Sequence, residues 1–250
     1  MRKKIALVTG ANKGIGLATA RRLGRIGMTV YIGARDETRG AKAVEELKNE
    51  GIDARSLHLD VTDDKSIAAA AARLTAEIDA LDVLVNNAGI ATPNGLPSQT
   101  TREQLRTIFE VNVFGMVAVT NAFIPLLRKA NGARIVNISS EVGSLSSLFD
   151  DPKSMTYQYL RELPYPMSKT AVNMITIQFA KELAADGIKV SAAIPGYVAT
   201  DLNGFTGYRK PEQAAEIIVT LATLPDDAPT GQFWGSLTGA KGDMHEHGRW

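Results

Sequence analysis

Tyr165 and Lys169 lie four residues apart in Tyr165-Pro166-Met167-Ser168-Lys169, a spacing that stacks them on one face of a helix. A phenol with a pKa near ~10 is a poor acid–base group at neutral pH. A neighbouring ammonium favours the phenolate and lowers that value toward the working range. Tyr165 is therefore a candidate proton donor and Lys169 its tuning group. Any surface helix can carry such a pair, so the assignment needs a third group. Ser140 provides one: it follows the apolar run Arg134–Ile138, where a hydroxyl can hydrogen-bond a substrate oxygen and hold it near Tyr165. Ser139 competes for that role. Both hydroxyls also have the plainer alternative of satisfying strand-end backbone groups.

A second constellation opens the chain. Thr9-Gly10-Ala11-Asn12-Lys13-Gly14-Ile15-Gly16 follows the first apolar run and leads into a helical pattern. Gly10 suits a tight turn, Gly14 lets the backbone approach a pyrophosphate, and Gly16 lets helix and strand pack closely. The N–H groups of the helix start then face the phosphates. Gly10, Asn12, Lys13, Gly14, Ile15 and Gly16 are accordingly read as a dinucleotide cradle. The second strand ends near Ala34, which offers no carboxylate to an adenosine 2′-hydroxyl. Arg35 follows, and with Lys13 it puts two cations where a 2′-phosphate would sit, which favours NADP(H). Asp36 is the alternative acceptor if the register lies two residues further on.

These groups need a frame that brings distant segments together. Apolar runs at Ile5–Val8, Thr29–Ile32, Val83–Val85, Arg134–Ile138 and Lys189–Ile194, with a weaker one at Ala54–Leu59, fit strands buried on both faces. Helix-period stripes such as Ile67, Leu74, Ile78 and Val172, Ile175, Phe179, Leu183 lie between them. The alternation predicts one α/β domain over 1–250, a Rossmann-type doubly wound parallel sheet with helices on both faces. Residues 141–164 and 201–210 break the rhythm and read as an inserted loop and a substrate-side loop at the functional rim.

With Gly-x-x-x-Gly-x-Gly at its start, the chain resembles the short-chain dehydrogenase/reductase family. Further motifs follow in the family's order: Asn86-Asn87-Ala88-Gly89, Asn112, Ser139-Ser140, Tyr165 to Lys169, and Pro195-Gly196-Tyr197-Val198-Ala199-Thr200-Asp201. Gly33-Ala34-Arg35-Asp36 and Leu59-Asp60-Val61 look most like the carbonyl reductase branch. The resemblance implies catalysis by Asn112, Ser140, Tyr165 and Lys169. Asn112 would hold a water and complete a proton relay through Lys169. It also implies that Asp60 and Val61 meet the adenine and that Asn87, Ala88 and Gly89 support the ribose. Pro195, Gly196, Val198 and Thr200 would lie on the carboxamide side. Asp60 has the alternative of capping the helix that begins near Asp63. The implied activity is NADPH-dependent reduction of a ketone or aldehyde. A catalytically silent NADP-binding redox sensor and an enoyl reductase are the alternatives.

Composition removes other classes. The 250 residues include no cysteine, which excludes disulfides, thiolate nucleophiles and cysteine-ligated metals. A net charge of +1 gives no footprint for nucleic acid. The longest apolar stretch, Val113–Val119, is short for a membrane span. His245 and His247 lack the spacing of a helical metal pair, and no metal is expected. A cytoplasmic protein acting on a small carbonyl or alcohol is what this leaves. The segment between Ser140 and Tyr165 is longer than is common in the family and carries Leu148, Phe149, Tyr157, Tyr159 and Leu160. With Phe205, Tyr208 and Trp234 these residues read equally as an apolar pocket wall for a hydrophobic or aromatic carbonyl and as packing of the insertion. By resemblance, the Tyr165 helix often forms part of a dimer interface. The enlarged loop before it favours a monomer and leaves a homodimer open.

Overall fold

Continuous apolar runs become strands buried on both faces: β1 (Ile5–Thr9), β2 (Thr29–Ala34), β4 (Val83–Asn86), β5 (Arg134–Ile138) and β6 (Lys189–Ile194). The weaker run is β3 (Ala54–His58), which exposes Arg55, Ser56 and His58 because it is an edge strand. Two strands that the apolar runs do not reveal complete the sheet, β7 (Gln232–Gly235) and β8 (Glu246–His247). The order is β3-β2-β1-β4-β5-β6-β7-β8, parallel throughout except for the antiparallel pairing of β8 with β7. The computed structural model describes residues 2–91, 95–149, 162–237, 246–248 and 250. Residues 150–161 of the insertion, with Tyr157, Tyr159 and Leu160, lie outside them, as do the Phe149 side chain and His245.

The α-helices among the described residues are α1 (Gly14–Arg25), α2 (Glu37–Asn49), α3 (Asp64–Glu77), α4 (Arg102–Phe109), α5 (Met116–Arg128), α6 (Leu145–Phe149), α7 (Pro164–Glu182) and α8 (Pro211–Ala222). Period-2 alternation along the strands splits the core in two. Leu7, Tyr31 and Leu84 point to one face and meet Leu74 of α3, Phe123 of α5 and Phe179 of α7. Ala6, Val8 and Val30 point to the other and meet Leu23 of α1, Leu47 of α2 and Ile217 of α8. A fully buried side chain such as Phe123 contributes about 1.5–3 kcal/mol relative to exposure.

α4 and α5 join through a π-helical turn, Glu110–Gly115. The continuous helix Arg102–Arg128 is long and apolar enough to cross a membrane by length and composition, but half of its most apolar window is buried inside the fold. That helix is longer than the Val113–Val119 run suggests. Successive crossovers place the strand order's reversal between β1 and β4. An open α/β sheet binds its ligand in the crevice beyond the carboxyl ends of such strands.

Candidate active site

The glycine-rich turn sits at that reversal. Gly10 and Gly14 adopt left-handed φ of +61° and +57°, which a side chain would strain. A Cβ on Gly16 would lie 2.5 Å from Asn87 Nδ2 and 2.7 Å from the Gly10 carbonyl oxygen. Asn87 Nδ2 itself donates to the Thr9 carbonyl at 2.8 Å, and the Thr9 hydroxyl accepts from Asn87 N at 3.0 Å and Ala88 N at 2.9 Å. Asn87 and Ala88 thus lock the β4 end onto the β1 end. Thr9 does the same work from the other strand. α1 starts at Lys13 with no side-chain cap and no acidic residue in its first turn, whereas Asp36 and Asp63 cap α2 and α3. Uncapped N–H donors beside a turn that has no side chain at Gly10 and Gly14 fit a pyrophosphate.

The end of β2 lies beside the glycine turn, with the Gly33 carbonyl accepting from Ala11 N at 3.1 Å. The strand's last residue is Ala34, and Arg35 is exposed beyond it. Asp36 accepts from Arg39 N at 2.9 Å as the α2 cap, so its carboxylate serves the helix. Asp60 Oδ1 accepts from Thr62 N at 2.9 Å and Thr62 Oγ1 at 2.7 Å, and Asp63 rather than Asp60 caps α3. Burial works against the Asp60 carboxylate, yet the Thr62 hydrogen bonds, Arg35 and His58 hold its pKa below the usual range. Val61 packs beneath the π-turn: a Cβ on Gly115 would lie 2.4 Å from the Val61 carbonyl oxygen.

At the ends of β4 and β5 the remaining motifs converge. Gly89 is the meeting point, since a Cβ there would lie 3.4 Å from Asn112 Oδ1 and 3.9 Å from Lys169 Nζ. Asn112 occupies the π-turn, a register slip that often marks functional sites. Its Oδ1 accepts from Ile90 N at 2.8 Å, and its Nδ2 donates to Ile90 O at 2.9 Å and to Ser168 Oγ at 3.1 Å. Both side-chain donors are spent on positioning. The two serines separate cleanly. Ser139 is buried and donates to Asn173 Oδ1, while Ser140 is half-buried and hydrogen-bonds the Tyr165 phenol. A short 3₁₀ turn, Glu141–Gly143, then rests on α7, with Gly143 O accepting from Thr170 Oγ1 and Asn173 Nδ2, each at 3.0 Å. Only glycine fits at 143, because a Cβ would lie 2.7 Å from the Lys169 carbonyl carbon.

Lys169 Nζ lies 5.5 Å from the Tyr165 ring centroid and donates to the Ile138 carbonyl at 2.7 Å. The pairing expected from the sequence is present, but burial sets the charges. Desolvation, then the nearby Glu162 carboxylate, push the Tyr165 phenol up to about 12 against the Ser140 hydrogen bond, and desolvation pulls Lys169 down to about 8. The ammonium faces the ring and the Ile138 oxygen, so in this state it does not bring the phenol toward neutrality. Glu162 was not among the sequence candidates. Its own pKa is raised by burial, and its Oε2 is buried with no hydrogen-bond partner.

Beyond β6, Gly196 has φ +77°, and a Cβ there would strike Arg209 Cδ at 2.6 Å. Pro195 and Gly196 lead into a loop tied to itself by the Val198–Arg209 bridge and by Asn203 Nδ2 donating to Val198 O at 2.8 Å. Thr200 faces the glycine turn: a Cβ on Gly14 would lie 3.5 Å from Thr200 Cγ2. Tyr197 and Tyr208 pack with ring centroids 6.1 Å apart, and Leu202, Phe205 and Tyr208 are exposed. Trp234, for which wall and packing roles read equally from the sequence, is half-buried and packs against the core layer that holds Leu23, Leu47 and Ile217. Among the described residues no group of three or more His, Asp or Glu could hold a metal ion.

The family model for short chain dehydrogenase matches residues 4–210. A short-chain dehydrogenase of Penicillium roqueforti is 36% identical over 251 residues, covering 98% of each chain. Human carbonyl reductase 1 (NADPH) is 36% identical over 265 residues, covering 92% of this chain and 95% of its own. The solved structure of NADPH-bound carbonyl reductase from chicken fatty liver superposes with a TM-score of 0.81 at 30% identity, covering 93% of this chain and 96% of that one.

Proposed function

The chain belongs to the short-chain dehydrogenase family of oxidoreductases, and we propose that it uses NADPH to reduce a hydrophobic or aromatic ketone or aldehyde to the alcohol. The observation that carries this reading is the convergence of Ser140, Tyr165 and Lys169 beyond β5, beside Gly89 and Asn112. The similarity to NADPH carbonyl reductases supports the choice of substrate and cofactor. Residues 1–250 act as one dinucleotide-binding and catalytic unit.

When bound, the reduced nicotinamide supplies the hydride. The Ser140 hydroxyl donates to the carbonyl oxygen and stabilises the charge that develops there. Tyr165 gives its phenolic proton to that oxygen, and its high pKa keeps the proton in place until then. Lys169 holds the nicotinamide ribose and, released from the Ile138 carbonyl, returns a proton toward the phenol. Asn112 fixes the geometry of Ile90 and the π-turn, leaving main-chain carbonyls of that turn to hold the relay water. Lys13 and Arg35 take the 2′-phosphate and Asp60 the adenine. Val198 and Thr200 lie at the carboxamide. The exposed Tyr197, Leu202, Phe205 and Tyr208 supply the apolar surface for the substrate.

The test is turnover of NADPH and NADH against a panel of aliphatic, aromatic and charged carbonyls. The expected result is NADPH oxidation with aromatic and hydrophobic ketones or aldehydes and little with charged ones. Tight cofactor binding with no turnover across the panel would overturn the enzymatic reading. We also infer a monomer, because the insertion precedes α7. Light scattering at working concentration should give the mass of one 26.8 kDa chain. A dimer would instead assign the exposed Met167 and Met174 of α7 to an interface.

A further inference from the structure

Lys13, one of the two cations assigned to the 2′-phosphate, already has an anionic partner. Its Nζ lies 3.0 Å from Asp201 Oδ2, with both side chains about half exposed. Asp201 opens the 3₁₀ turn Asp201–Asn203 of the substrate-side loop, directly after Thr200 at the glycine turn. The ion pair therefore bridges two segments nearly 190 residues apart in sequence. It lines an open hollow of about 550 Å³ together with Asn12, Arg39, Lys42 and Glu46. Glu46 is turned to Arg21 and Asp36 to Arg39, which leaves Asp201 as the carboxylate on Lys13.

We propose that Asp201 is a cofactor-specificity residue: its carboxylate occupies the place of the 2′-phosphate on Lys13, and a 2′-phosphorylated nucleotide must displace it. A phosphate monoester carries about −1.5 to −2 charges at neutral pH against the single charge of a carboxylate, so it wins the exchange. The exchange has two consequences. Asp201 lowers the preference for NADPH that Lys13 and Arg35 would otherwise set. Displacement also frees the start of the substrate-side loop, and only ligands bearing the 2′-phosphate cause it.

The inference rests on the NADP(H) reading, and its test separates the two. Adenosine 2′,5′-bisphosphate and 5′-AMP are titrated calorimetrically into the unmodified protein, Asp201→Asn and Lys13→Met. Exposed ion pairs are weak, so Asp201→Asn should bind the bisphosphate roughly two- to tenfold tighter and leave 5′-AMP unchanged. In the unmodified protein the bisphosphate, but not 5′-AMP, should speed hydrogen exchange at the Asn203 and Phe205 amides, which now bond the Thr200 carbonyl. In Asp201→Asn that exchange should be fast without ligand. If Lys13→Met weakens the bisphosphate while Asp201→Asn does not tighten it, the competition is overturned and the NADP(H) reading stands. If Lys13→Met leaves the ratio of the two affinities unchanged, the 2′-phosphate assignment of Lys13 fails and this inference fails with it.

Discussion

Tyr165→Phe should lower turnover of the best carbonyl substrate by roughly 10²-fold or more, the scale of acid–base catalysis, with nucleotide affinity little changed. The ring remains beside Lys169, and only the hydroxyl that Ser140 meets is lost. With its pKa pushed up to about 12, the phenol is protonated throughout the neutral range. It is therefore ready to donate in reduction, whereas alcohol oxidation requires the phenolate and should gain rate as pH rises. Steady-state kinetics in both directions, with the nucleotide dissociation constant measured separately, checks this. A variant retaining near-full activity would remove Tyr165 from the chemistry.

Arg35→Ala should reduce kcat/KM with NADPH by roughly tenfold to a hundredfold while changing the NADH value by no more than about twofold. A charge-assisted hydrogen bond contributes about 1.5–3 kcal/mol, which converts to that range. Arg35 is exposed past the last residue of β2, free of the capping role that occupies Asp36. The reciprocal change, Ala34→Asp, sets a carboxylate at the end of β2 and should move the preference toward NADH. Equal catalytic efficiency with the two nucleotides in the unmodified enzyme is the result that refutes the assignment.

The central strands were legible because a strand buried on both faces must be largely apolar, as residues 30–34 are after the hydrogen-bonded Thr29. β7 was not, since Gln232–Gly235 is only four residues long with a half-buried Trp234, and β8 is two residues long. Asn112 was legible only as a motif, and no residue type in Glu110–Gly115 marks the π-turn that holds it. The i, i+4 spacing of Tyr165 and Lys169 gave their contact. It could not give their burial, and burial reverses the expected direction of the phenol's shift. The contacts of Glu162 and of Asp201, the latter quoted only as the end of a motif, were not legible for a related reason. Each depends on where a loop folds back, which side-chain type does not encode.

The place of β1 in the sheet has a consequence for the growing chain. β1 pairs on one side with β2, which follows soon after, and on the other with β4, some seventy residues later. At about 5–20 residues per second, Ala6–Val8 wait roughly 4–15 s after synthesis for Val83–Val85 to appear. During that interval the nascent β3-β2-β1 unit presents a bare edge, apolar over Ile5–Val8, the kind of template that pairs with a neighbouring chain. The nucleotide crevice lies at the β1–β4 reversal and forms only when that edge is closed, and the bare edge then passes outward to β4 until residues 134–137 arrive to pair with it.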